Sequence, residues 1–167
     1  TPVAGATNSS LRLDAVKLEQ PRAVAVADLA GSGSADLVVT QLGAPPLVLR
    51  NEGGNARNWM RIDLKALADN KSAIGTKVEL YAGPLYQKWE IQGASGYLSQ
   101  NAAPILAGLG TEREVDVLRL LWPTGVPQDE IKLAARETQT VNELDRRGSS
   151  CPVLFVWNGR QYEFIAD

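Results

Sequence analysis

The chain has no histidine in its 167 residues and a single cysteine, Cys151. These two absences remove the Ser-His-Asp triad, the Cys-His dyad and the zinc sites built from His or Cys clusters. One cysteine closes no internal disulfide. Nothing cationic stands beside Cys151 to stabilise a thiolate, so it reads as a small buried apolar side chain rather than a reactive thiol. Basic runs are missing too. Arg146-Arg147 is the only basic doublet and the net charge is −2, which argues against a nucleic-acid partner, because phosphate binding needs a concentrated basic face. No apolar run approaches the ~18 residues that would suggest a membrane span. No signal peptide is visible. The chain starts at Thr1 and its one methionine is the internal Met60, so it is read as a processed product or as part of something longer.

What remains is ordinary globular material. A hydrophobic fraction of 44% against 22% charged residues supplies a core without disulfide staples. The length suits one domain, or one domain with an appended piece. Residues 1–22 read as a flexible lead-in. Ala23 to Ala27 is short, apolar and Val-rich, which predicts a buried strand. Leu37 to Thr40 and Leu47 to Leu49 follow as further strands, and Asn51 to Asn58 with Gly53-Gly54 forms a loop.

From Trp59 the pattern becomes period-2. Met60, Ile62 and Leu64 alternate with Arg61 and Asp63, and Val78 and Leu80 alternate with Lys77 and Glu79. Leu85, Trp89 and Ile91 share a face opposite Lys88 and Glu90. Val115 to Trp122 is apolar on both faces, which suggests a central strand. Asp129 to Leu133 and Thr138 to Leu144 read as two strands around a turn near Arg136. Gly108 and Gly110 fall among the Gly/Pro breaks between these runs. At the C-terminal side, Asn158-Gly159 between two apolar β-favouring runs predicts a hairpin. The reading is all-β: an antiparallel sandwich or barrel, with a strand-rich stretch before it and a C-terminal hairpin after it.

Several ordered motifs carry a family likeness. Asn51-Glu52-Gly53-Gly54-Asn55 and Trp59-Met60-Arg61-Ile62 come first, then Ala73-Ile74-Gly75-Thr76-Lys77-Val78. Gly96-Tyr97-Leu98-Ser99-Gln100, Gly108-Leu109-Gly110 and Trp122-Pro123-Thr124-Gly125 with Gln128 follow in order. Together, from about Asn51 to Glu143, they resemble an ASPIC/UnbV domain. Upstream, Asp28 to Asp36 resembles the calcium loop of an FG-GAP repeat, and the segment from Cys151 resembles one that follows this domain in long bacterial repeat proteins. The resemblance implies four parts: a lead-in (1–22), an FG-GAP-like remnant (23–50), an ASPIC/UnbV-like β domain (51–144), and a linker with hairpin (145–167). It implies a secreted, periplasmic or cell-surface protein with roles in adhesion or assembly, and no defined reaction.

The candidate sites follow. A calcium loop sets alternate oxygen side chains around a hard cation. Here Asp28 holds the first position, Ser32 the fifth and Asp36 the ninth, but Ala30 at the third offers no oxygen. The loop therefore reads as a degenerate site whose turn keeps its shape without metal, with Asp28 and Asp36 accepting backbone N–H groups across it. No other cofactor is expected. Trp89 and Trp122 read as core, whereas Tyr97 in its glycine-flanked loop reads as exposed. Phe155, Trp157 and Phe164 of the hairpin read as an interaction surface, open to strand addition by a partner or by further sequence. The expected function is a non-catalytic, extracytoplasmic protein-interaction or assembly module. Two other readings stay open: a carbohydrate or matrix binder, which needs exposed coplanar aromatics, and a hydrolase, which needs two facing carboxylates in a cleft.

Overall fold

The computed structural model of the chain describes residues 16–67, 70–101, 104–145 and 154–166, the strand ends 154–155 and 164–166 by their backbone alone. The lead-in to residue 15, the Arg146-Arg147 linker and Cys151 lie outside the described residues. Among the described residues the chain is all strand and turn, with no helix.

Four sheets form. The first joins β1 (Pro21–Ala27), β2 (Asp36–Gln41) and β3 (Leu47–Leu49), with β2 in the middle. Next along the chain are β4 (Asn58–Lys65), β5 (Lys77–Ala82), β6 (Leu85–Glu90) and β7 (Ile105–Gly110). They are followed by β8 (Glu114–Leu121), β9 (Pro127–Ala134) and β10 (Thr138–Asn142). These seven strands make a three-stranded sheet ordered β10-β4-β7 and a four-stranded sheet ordered β6-β5-β8-β9. The C-terminal hairpin pairs β11 (Leu154–Trp157) with β12 (Tyr162–Ala166).

The period-2 alternation gives two of these sheets one apolar face each, and the two faces share one core. Met60, Ile62, Ile105, Ala107, Leu109 and Val141 enter it from the three-stranded sheet; Val78, Leu80, Ala82, Val115, Leu118 and Leu120 enter from the four-stranded one. Trp122 is buried there as expected, and Trp89 packs against the core from β6. This is the sandwich that the alternation predicts.

Four expectations need correction. The strand at Ala23–Ala27 is not buried: Val24 is 50% exposed, because β1 is an edge strand of a small sheet and only its alternate residues are covered. Val115 to Trp122 does supply a central strand, but Asp116, Arg119 and Leu121 face solvent. Val115 and Leu118, an odd spacing apart, are both buried because Lys132 opposite takes a left-handed φ of 54° and the ladder skips the Asp116–Lys132 pair. Third, the run Ile105–Gly110 is a full strand, paired with β4 and bulged between Asn58 and Trp59. Its glycines looked like breaks, yet Gly108 sits in the ladder and only Gly110, at φ 62°, turns the chain. Fourth, β9 and β10 do not pair. The turn at Arg136 carries the chain from one sheet to the other, where β10 lies parallel to β4, so the otherwise antiparallel sandwich contains one parallel pair.

The hairpin forms with a longer loop than Asn-Gly alone. Trp157 pairs with Tyr162, and the Asn158 side chain accepts the N–H groups of Arg160 (2.8 Å) and Gln161 (2.9 Å) while Gly159 takes φ 95°.

One buried polar cluster ties the sandwich together at the β8–β9 turn. Trp122 Nε1 donates to Gln128 Oε1 at 2.9 Å, and Gln128 Nε2 donates to the Asn142 carbonyl at 3.1 Å. The Leu144 N–H returns to Gln128 Oε1 at 3.1 Å. Beside it the buried Glu143 accepts the Thr124 hydroxyl at 2.7 Å and the Leu67 N–H at 2.9 Å. Replacing Glu143 by Ala leaves the Leu67 amide without its acceptor. Leu67 is 46% exposed, so water takes up the freed amide and the loss is that of a net hydrogen bond: Glu143→Ala should lower the unfolding free energy by about 1 kcal/mol in denaturant titration, with an unchanged m-value.

Candidate functional site

The Asp28 to Asp36 loop is held by its two carboxylates. Asp28 Oδ1 accepts the Ser32 N–H at 2.9 Å and Oδ2 accepts the Gly33 N–H at 2.7 Å. Asp36, 2% exposed, accepts the N–H groups of Leu29 (3.3 Å) and Asn51 (2.8 Å), with Arg50 Nε 3.6 Å away. The Asn55 amide caps the Ser32 carbonyl at 3.0 Å. The three predicted loop residues are thus brought together, Ser32 through its backbone. No group of three or more His, Cys, Asp or Glu side chains suited to a metal ion occurs among the described residues.

This loop also docks the first sheet onto the sandwich. Gly33 is buried at φ 83°, and a Cβ there would overlap the Trp59 indole at the start of β4. Beyond this contact a cleft of about 390 Å³ opens between Val26, Ala27 and Asp28 on one side and Arg61, Trp89 and Ile105 on the other. Asn101 bridges its mouth, accepting the Val26 N–H at 2.9 Å. Clefts of this size at the junction of two packed units are common ligand sites. Asp28 and Glu90 both line it, but both Asp28 oxygens are engaged by the loop amides.

Of the predicted interaction residues, Tyr97 and Trp157 are exposed and lie on separate elements. Tyr97 is 97% exposed in the loop between β6 and β7, with Leu98 beside it at 62%. Trp157 packs edge-on against Tyr162 across the hairpin, ring centroids 5.2 Å apart. Phe155 and Phe164 are opposite each other in the hairpin register.

Strand register adds a surface that local sequence does not reveal. On the outer face of the four-stranded sheet, Lys88, Glu79, Arg119 and Asp129 stand in one cross-strand row. Tyr86, Tyr81, Val117 and Ile131 form the next row. The charges alternate in sign along the first row. Glu79 is its hub: Lys88 Nζ lies 3.1 Å from Oε1, Tyr81 Oη donates to Oε2 at 3.1 Å, and Tyr86 Oη donates to Oε1 at 3.3 Å. Arg119 Nε meets Asp129 at 3.0 Å. Lys88 first, then the Tyr81 hydroxyl, holds the Glu79 carboxyl below its usual range; Glu79 in turn raises Lys88 and Tyr81. Asp129 raises Arg119. The two tyrosine rings sit 5.0 Å apart, next to Ile131, which is 64% exposed. Cross-strand pairs of this kind specify register and add modestly to stability.

A depressed carboxyl stabilises the fold above its unfolded pKa, and that contribution disappears as pH falls through the folded value. Glu79→Gln should therefore lower the melting temperature by no more than a few degrees near neutral pH. The gap to the wild type should close below about pH 4, the ordinary glutamate range. Melting curves of both proteins from pH 7 to pH 2.5 test this; a gap that stays constant would contradict it.

No curated protein sequence matches the chain. Residues 66–148, about half of it, match a family model described as ASPIC and UnbV. The matched stretch begins just after β4 and holds β5 to β10 whole, with the Trp122–Gln128–Glu143 cluster inside it. From the end of β4 to beyond β10, therefore, this chain is similar to the ASPIC and UnbV domain family.

Proposed function

We propose that the chain is a non-catalytic interaction or assembly module that works outside the cytoplasm within a larger protein or complex. The observation that carries this reading is the placement of large aromatic side chains in solvent: Tyr97 at 97%, Tyr162 at 70% and Trp157 at 55%. Tyrosine and tryptophan lose little conformational freedom on contact and dominate binding energy at interfaces. The hairpin adds a second support. Among the described residues β11 and β12 pair only with each other; a two-stranded unit is marginal in water and offers both outer edges to another strand. Localisation and the origin of the first sheet as an FG-GAP-like remnant rest on the family resemblance.

A test compares the wild-type chain with Trp157→Ser and Tyr97→Ser for capture of a partner by cross-linking in extracytoplasmic extract of the producing cell. Both variants should melt within about 2 °C of the wild type, since each removes an exposed side chain, and each should reduce capture at least threefold. If Trp157→Ser unfolds the sandwich while leaving capture intact, the hairpin is a structural cover and not a docking element.

The loop around Asp28 is read as metal-independent, because Ala30 and Ser32 replace charged ligands and the carboxylates serve the turn. Melting temperatures in millimolar calcium and in chelator should agree within about 2 °C; a rise that tracks calcium concentration would mark a bound ion. The cleft beside Trp89 favours a second reading, a carbohydrate-binding module. A saturable change in the Trp89 indole NMR signal on adding a neutral hexose would support it.

A further inference from the structure

Three arginines from three separate turns meet at one end of the sandwich. Arg57 comes from the loop before β4, Arg113 from the turn between β7 and β8, and Arg136 from the crossover between β9 and β10. Together with Asn58 and Thr111 they line an open depression of about 710 Å³, and no carboxylate lines it. For a chain of net charge −2 this is a concentrated positive site.

The frame of the depression is built. Arg136 occupies the left-handed region at φ 65°, which a non-glycine residue adopts only when its surroundings hold it there. Its N–H donates to the Trp59 carbonyl at 2.6 Å, its Nε to Asn58 Oδ1 at 2.9 Å, and its Nη2 to the Ala56 carbonyl at 3.3 Å. The Asn58 amide in turn donates to the Thr111 carbonyl at 3.2 Å, and the Ala135 N–H to the Arg113 carbonyl at 2.9 Å. Arg136 is thus anchored, and the two turns beside it are fastened to the same base.

Arg57 and Arg113, by contrast, make no side-chain hydrogen bond or ion pair among the described residues. The nearby acids are employed elsewhere or stand apart. Glu112 accepts the Thr111 hydroxyl and lies against Gly83, and Glu137 accepts from the Gln139 amide at 3.4 Å. Glu114 points into solvent without an ion pair. Three guanidinium groups around one depression, two with free donors, match an acceptor-rich group that takes several forked hydrogen bonds at once.

We propose that Arg57, Arg113 and Arg136 form a binding site for a tetrahedral oxyanion, a phosphate or sulfate ester carried on a larger molecule. Three positive charges without a carboxylate favour a dianion over a carboxylate ligand. The open depression has room for the group that bears the ester. One compact cluster receives a single oxyanion and offers no track for a nucleic-acid backbone. This site is independent of the hairpin and of Tyr97, so its success or failure leaves the interaction reading above unaffected.

The test titrates the intact chain at low ionic strength with inorganic phosphate, inorganic sulfate, a phosphomonoester and a sulfated disaccharide. Arginine Nε–H NMR signals are followed, with sodium chloride at matched ionic strength as control. Saturable shifts of the Arg57, Arg113 and Arg136 signals are expected, with affinity falling as salt rises. The tighter of the two ester arms identifies the carrier. Arg57→Gln and Arg113→Gln should each weaken binding at least threefold and together at least tenfold. Arg136 is left intact because it holds the turn. Shifts that chloride reproduces, or binding that the double variant retains while its melting temperature is unchanged, would overturn the proposal.

Discussion

The Gln128 side chain is the point on which the two sheets depend. Its amide sits 5% exposed at the start of β9 and makes hydrogen bonds to Trp122 on one side and to the exit of β10 on the other. An amide has two donor hydrogens and an acceptor oxygen, so one buried group can serve both sheets and remain satisfied. Removing either partner would strand polar atoms inside an apolar core, which makes the arrangement specific as well as stable. Glu143 does the same a few residues on, joining the Thr124 turn to the Leu67 amide after β4. Because β10 is parallel to β4 and not paired with β9, these side-chain bonds supply a lateral link between the sheets that a hairpin would have made through backbone.

The sandwich held by this cluster then acts as a platform. Trp59, paired with Gly108 of β7 just past the bulge in β4, meets Gly33 and fastens the small first sheet. Its loop is shaped by Asp28 and Asp36, whose carboxylates accept backbone N–H groups. The outer face of the four-stranded sheet carries a row of alternating charge that neutralises itself, leaving Tyr81, Tyr86 and Ile131 as an apolar row beside it. Opposite charges directly across strands disfavour a slipped register, because a one-residue shift would bury charged side chains and expose the core.

Much of the fold was legible in the sequence because a period-2 pattern encodes burial directly. Met60 and Ile62, and Val78 and Leu80, alternate with charged residues, and each proved buried. The Asn158-Gly159 hairpin was legible for the same local reason, although the Asn158 side chain lengthens the loop to four residues. The strand Ile105–Gly110 was hidden because glycine reads as a break when its neighbours across the ladder are unknown. The site residues divide likewise. Asp28, Ser32 and Asp36 lie within one turn and show their spacing in the sequence. Tyr97 shows its exposure through the glycine beside it.

By itself, the sequence determined which residues had to leave water, where the chain had to turn, and that it offers no histidine and a single cysteine. Those are properties of single residues and of their near neighbours. Only the tertiary structure decided which strands became partners, and with that the parallel β10–β4 pair and the charge row on the outer sheet. It also decided the meeting of Arg57, Arg113 and Arg136. These three lie on turns far apart in the chain, and no periodicity links them. Electrostatic and hydrogen-bonding sites depend on distance in space, and sequence separation carries no information about that distance until long-range pairing closes the intervening loops.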